Sequence, residues 1–166
     1  TASTYIYTLS LHDALPIWEL DSMSSNMQLA KRFQLDKMLW PGMAAQFELC
    51  GPGIQSNRLK LPAQRPFVFA VWKDHHKIDR DQWPTGMPNL AVPELDENEW
   101  ALTGSVDDMI AKVDGLRGNV TKDRLDEGIV WHLHEDQQLS EGLADELGAN
   151  RCFKIINNKY LTKNGL

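Results

Sequence analysis

Residues 43–72, MAAQFELCGPGIQSNRLKLPAQRPFVFAVW, decide how the chain reads. Phe67-Val-Phe-Ala-Val-Trp72 is a run of aromatic and β-branched residues, the types that suit a pleated, half-buried strand. Met43 to Cys50 reads as a second strand. Gly51-Pro-Gly53 makes a tight turn after it. Leu59 to Leu61 starts another extended stretch. Upstream, Ser25-Asn-Met-Gln28 is a capping box. It opens a helix with Leu29, Phe33, Leu35, Met38 and Leu39 at roughly helical spacing, and Pro41-Gly42 stops that helix. Downstream, residues 73–104 are polar, Pro-rich and loop-like, with a short extended piece at Leu90 to Pro93. Ser105-Val-Asp-Asp108 begins a helix that runs to about Gly115. Gly128 to Leu133 is a strand. Leu139 to Leu147 is a short amphipathic helix ended by Gly148. Arg151 to Ile156 is the last strand, with Lys159 to Leu161 close behind. Strands and helices interleave without regular βαβ spacing, so the expected class is α+β.

The chain has 166 residues, enough for one ordinary domain. Hydrophobic residues make up 42% and charged residues 24%, which excludes a disordered chain and fits a soluble globular protein. No apolar stretch is long enough to span a membrane. Seventeen basic against 23 acidic residues leave a net charge of −6, which argues against coating nucleic acid by bulk positive charge. A local basic groove stays open, and Lys31, Arg32, Arg58, Lys60, Arg65, Lys73 and Lys77 are its candidates. Cys50 and Cys152 sit in apolar segments and read as reduced, buried thiols of a cytoplasmic protein. Residues 1–17 show no clear period and no signal-peptide pattern. Their run YTLSLHDALPI resembles translated sequencing-adaptor DNA. They read as foreign to the fold or as a weakly ordered arm, leaving 18–166 as the domain, and whatever preceded residue 18 is expected to be missing.

Four short stretches carry candidate chemistry. In Phe47-Glu-Leu-Cys-Gly-Pro-Gly-Ile-Gln-Ser-Asn57, a Gly-Pro-Gly turn lets backbone approach a ligand, and Glu48 can accept hydrogen bonds from a ribose diol or simply be solvated. In Phe67-Val-Phe69, a ring can pack in the core or stack on a nucleobase. In Asp126-Glu-Gly-Ile-Val-Trp131, an acidic residue before a strand-opening glycine can hold a metal or orient a lysine. In Phe153-Lys-Ile-Ile156, Lys154 interrupts an apolar run and must snorkel out or find an anion such as phosphate.

In order and spacing these stretches resemble the nucleotidyltransferase domain of ATP-dependent RNA ligases, over roughly residues 25–166. GPGIQSN followed by LKL carries most of the resemblance, then EGIVW and FKIINNKYL, with the helix MQLAKRFQLDKML before the first strand. The resemblance implies antiparallel sheets enclosing a nucleotide cleft, with helices outside. It implies ATP and Mg²⁺ as cofactors, and RNA ends or a nicked duplex as partner. In that family a lysine attacks ATP and displaces pyrophosphate to form a lysyl-AMP, AMP passes to an RNA 5′-phosphate, and a 3′-hydroxyl then displaces AMP to seal the strand. Carried over by position, Glu48 binds the ribose and Phe69 stacks on adenine. Glu127 sits near the metal and the nucleophile, and Lys154 contacts the α-phosphate. Asn57 and Lys159 are supports.

The sequence also departs from that pattern. Ile156 stands where the family has a second lysine, Ala70 where an acidic residue is usual, Phe47 where glycine is common, and His132 where a basic residue is often found. No Lys-x-Asp-Gly precedes the GPGIQ segment. The one at Lys112 to Gly115 comes after the adenine-stacking strand and closes a predicted helix, so it is not read as the nucleophile. The chain is therefore expected to be an inactive part of a ligase. The alternative is a non-catalytic nucleotide- or RNA-binding remnant. A zinc site at His132-Leu-His134 or His75-His76 would need further ligands, and solvated histidines are the simpler reading.

Overall fold

Apolar side chains on alternate positions build each sheet, and a computed structural model describes residues 5–7, 28–54, 57–96, 99–102, 104–133, 139, 141–148 and 152–165. Two compact units emerge, residues 11–92 and residues 93–166 together with 1–10. Their boundary falls inside the stretch read as a Pro-rich loop. Both units are mixtures of helix and antiparallel sheet.

The unit 11–92 is built on the sheet β2-β3-β4, with β2 at Met43–Cys50, β3 at Arg65–Lys73 and β4 at His76–Ile78. Both pairings are antiparallel. Leu35, Val68, Val71, Trp83 and Met87 form its buried core, with Met43, Ala45 and Phe47 packed against it from β2. That assigns odd-numbered β2 residues to the core face and Ala44, Gln46 and Glu48 to the other. The helix expected between the Ser25 cap and the Pro41-Gly42 stop is broken in two, because Gln34 turns left-handed at φ 60° between residues 28–32 and the short helix Leu35–Met38. The step swings Leu35 into the core. Ser25, the predicted cap, lies outside the described residues. The extended stretch expected at Leu59 to Leu61 is a turn instead. Asn57 and Lys60 have positive φ, and the Asn57 side chain clamps both backbone groups of Leu61 at 3.0 Å. A short polar side chain competing for its own backbone outweighs the leucines' strand preference here.

The second unit is built on the sheet β1-β5-β6, also antiparallel, with β1 at Tyr5–Tyr7, β5 at Gly128–His132 and β6 at Cys152–Ile156. Of residues 1–17 only 5–7 are described, and they pair with β5. Trp100, Met109, Val113, Ile129, Trp131 and Ile155 form the core. The Trp131 indole is fully buried, donates to the Trp100 carbonyl at 3.1 Å and stacks on Phe153 at 5.5 Å. Phe153 and Ile155 thus face the core, and Cys152 and Lys154 take the opposite face of β6. The helix Val106–Val113 starts with the predicted device: Ser105 accepts from the Asp108 N–H, and the Asp108 carboxylate accepts from the Ser105 N–H. A last helix, Asn158–Asn164, follows β6.

The cysteines are not the buried thiols expected from their apolar neighbours. Cys50 is half-buried and Cys152 is exposed. Cys152 closes the β5–β6 ladder opposite His132 on the face away from the core, and its Sγ lies 3.8 Å from His132 Nε2.

Candidate functional site

Lys154 finds its anion inside the chain. Its ammonium donates to the Glu127 carboxylate at 2.6 Å, and both side chains are about one-tenth exposed, at 10% each. Register explains the meeting. Lys154 lies opposite Val130 on β6, and Glu127 immediately precedes Gly128, the first residue of β5. A Cβ on Gly128 would run into the Ile155 carbonyl, so glycine is required for the two strands to close at this end. An ammonium carries three donors, and the pair uses one of them. Lys154 therefore keeps donor capacity beyond the pair while it stays neutralised.

Around this pair a polar network fixes the strand ends. Asn157, fully buried, donates to the carbonyls of Leu116 and Asp126 and accepts from the Gly115 N–H. Its backbone N–H donates to the Glu127 carbonyl at 2.7 Å. Its side-chain oxygen also caps the helix Asn158–Asn164 through Lys159 and Tyr160 N–H groups. Asp126, also buried, accepts from Asn119 and Val120 and closes the loop between them. Neither role is expected from the sequence reading. An asparagine that ends an apolar run and precedes Asn-Lys-Tyr-Leu is a recognisable cap signal, but its reach to residue 115 is not written in local spacing.

Lys159 does not join Lys154. Its ammonium is exposed and pairs with Asp114 at 3.0 Å. The hydrogen bond from Lys159 holds the Asp114 carboxyl below the ordinary carboxylate value. Lys112 is engaged at the surface: its ammonium donates to the Glu99 carbonyl and lies 4.7 Å from the Trp100 ring centre. Among the described residues no group of three or more His, Cys, Asp or Glu is arranged to hold a metal ion.

Glu48 and Phe69 belong to the unit 11–92. Glu48 is buried, 5% exposed, on the β2 face that points away from the core. Its register partner is Phe67, whereas Phe69 is the extra residue of a β-bulge between the pairs Gln46–Ala70 and Phe47–Val68. Phe67 is fully buried, with the Arg65 guanidinium 4.8 Å from its ring centre, and Phe69 is half-buried. A bulge re-aims the side chain it inserts, so strand alternation alone does not describe Phe69. Gly51 has φ +133°, and a Cβ there would meet Gln64 Cα at 2.6 Å. The close approach expected of Gly51-Pro-Gly53 is thus made to the chain's own backbone. Gln64 also donates to the Pro52 carbonyl at 2.7 Å. Asn57 serves the turn at residues 57–61. Among the described residues, no helix is long and apolar enough to cross a membrane.

Comparison with known proteins gives a likeness of fold. No family model matches the chain, and no curated protein matches its sequence. An apo mutant of Naegleria gruberi RNA ligase superposes with a TM-score of 0.56 at 24% identity, covering 85% of this chain and 40% of that one. A second mutant of the same ligase, with ATP and Mn, gives 0.51 at 19% identity, covering 96% and 48%. The chain therefore spans less than half the length of these solved proteins, and its antiparallel mixed fold is similar to theirs.

Proposed function

We propose that this chain is a nucleotide-holding part of an ATP-dependent RNA ligase, from the superfamily that shares a nucleotidyltransferase domain. The observation that carries this reading is the desolvated Lys154–Glu127 pair at the junction of β5 and β6. The ligase-like fold and the order of the four stretches support it. In this reading Lys154 holds the α-phosphate and Glu127 stands beside a divalent cation. Lys159 is a peripheral support. Glu48 accepts the ribose hydroxyls and Phe69 stacks on adenine. A bound Mg²⁺ or Mn²⁺ would supply charge neutralisation at the phosphates. In the whole enzyme the domain forms enzyme-AMP, passes AMP to an RNA 5′-phosphate and seals the strand.

One observation favours a second reading, nucleotide or RNA binding without adenylyl transfer. The sole Lys-x-Asp-Gly of the sequence, at Lys112, closes the helix Val106–Val113 instead of leaving a strand. Calorimetric titration with ATP and Mg²⁺ tests the shared claim. Lys154→Ala and Glu48→Ala should each weaken ATP binding about tenfold or more, the scale of losing a charge-assisted hydrogen bond. Wild-type affinity in both variants would sink the reading. Intact mass after incubation tests the expected inactivity of this chain. Binding without an adduct fits it, and an AMP adduct would overturn it and defeat the second reading.

A further inference from the structure

The β3–β4 hairpin frames a cavity that none of the residues above explains. It is a half-open cleft of about 460 Å³, lined by Gly42, Met43, Ala44, Trp72, Asp74 and His75. That volume lies within the range of small-ligand pockets. Ala44 and Trp72 are register partners on the β2–β3 face away from the core. The Trp72 indole is held in place by a hydrogen bond to Gln46 at 3.2 Å. Trp40, in the turn that leads to Gly42, is 61% exposed, the one large apolar side chain so exposed among the described residues.

Charge lies beside Trp72. The hairpin reads Lys73-Asp-His-His-Lys77, with Asp74 as its one acid. Lys77 is the register partner of Trp72, and His76 that of Lys73. Asp74 and His75 form the two-residue turn, both with positive φ. The Asp74 N–H is tied to the Gly42 carbonyl at 2.9 Å. Among the described residues the Asp74 carboxylate has no hydrogen-bond or ion-pair partner, so its oxygens are available to the cavity it lines. Aromatic faces for bases beside cations for the backbone are the two elements of single-strand recognition. An acceptor-only carboxylate adds selectivity. It matches a guanine edge, which offers adjacent N–H donors, and it is repelled by a uracil edge, where carbonyls flank the lone N–H.

We propose that this cavity receives one base of a single-stranded RNA, with Trp72 and Trp40 as stacking surfaces, Asp74 reading the base edge and Lys77 holding a phosphate. The choice of RNA as the polyanion rests on the ligase reading; the base site itself rests on the hairpin. Fluorescence anisotropy of labelled oligomers with the full chain tests it. A seven-uridine strand should bind more weakly, by about fivefold or more, than the same strand with a central guanosine. Asp74→Asn should abolish that preference, and asparagine tolerates the left-handed turn. Trp72→Leu and Trp40→Ala should each weaken binding about tenfold. Trp40 is exposed, so its loss leaves the fold intact even if Trp72→Leu does not. Lys77→Ala should lower the salt slope by roughly 0.7, one phosphate's share on a single strand. Equal binding of the two oligomers by wild type overturns the proposal, as does wild-type affinity in Trp40→Ala together with an unchanged preference in Asp74→Asn. ATP that fails to bind would defeat the adenylyl-transfer reading and leave this one standing.

Discussion

The two sheets solve the same problem with opposite materials. Around β5 and β6 the ionisable and amide side chains are turned on one another: Lys154 on Glu127, Asp126 on Asn119, Asn157 on five backbone groups. Around β2 and β3 the ladder is held by its apolar core, and the chemically active side chains of the β3–β4 hairpin are left facing out. The first arrangement is pre-organised and unforgiving, since a buried polar group costs more unpaired than it contributes paired. The second tolerates change at the exposed polar positions of that hairpin.

The sharpest way to break this contrast is Asn157→Ala. It strands the Gly115 N–H and the Asp126 carbonyl, while the Leu116 carbonyl keeps the Asp126 N–H, so a loss of about 4 kcal/mol is expected in urea unfolding, from a penalty of about 1–3 kcal/mol per buried unsatisfied group. Amide exchange should rise in β5 and β6. A loss under about 1 kcal/mol, the scale of a single ordinary hydrogen bond, would remove the case that the network holds this unit. Next comes the ion pair. Lys154→Met should cost about 3 kcal/mol, because it leaves Glu127 desolvated without its cation. Adding Glu127→Leu should restore most of that, so a double-mutant cycle that shows simple additivity would contradict a buried, coupled pair.

Smaller effects sharpen it. Ser105→Ala should cost about 1 kcal/mol through the lost cap, read from the thermal midpoint. The capping box also carries a pH signature. The Ser105 N–H, and then the Ser105 hydroxyl, hold the Asp108 carboxyl below its ordinary value. A carboxyl lowered in the folded state stabilises fully above the unfolded value, about 3.9. That contribution fades as pH falls through the lower, folded value. Ser105→Ala keeps that N–H and loses only the hydroxyl, so it should flatten the acid limb of the stability curve in part, and Asp108→Asn should flatten it further. Smallest of all, Lys159→Ala should change stability by no more than about 0.5 kcal/mol, since its pair with Asp114 is solvent-facing. A large loss there would mean that the network extends to the surface.

What local pattern controls is legible in the residues themselves. The strands β2, β3, β5 and β6 follow from composition, and the Ser105 cap follows from its spacing to Asp108. What depends on distant partners is not legible there. The anion for Lys154 lies 27 residues away in the chain, and Asn157 reaches back 42 residues to Gly115. The bulge at Phe69 is a property of two strands together, invisible in either one. β4 is three residues of unremarkable strand preference, recruited because the turn before it aims them at β3. Leu59 to Leu61 depart in the reverse direction, where a single asparagine outweighs two leucines. Of the candidate residues, Glu127 and Lys154 stand out by their positions in the sequence, and the fold brings them into contact. That one carboxylate serves as the lysine's own partner does not follow from spacing.

The turn at Asp74 and His75 has a cost with a meaning. Two residues with side chains sit where backbone geometry prefers Asn-Gly, and each bears the steric penalty of the left-handed region. A sequence drifting under selection for folding alone would exchange them for the easier pair, gaining stability and losing a carboxylate and an imidazole at the mouth of the cavity. Relatives of this chain thus offer a natural record: where the hairpin keeps Asp-His, some demand other than folding is holding it there, and where it relaxes to Asn-Gly, that demand has lapsed.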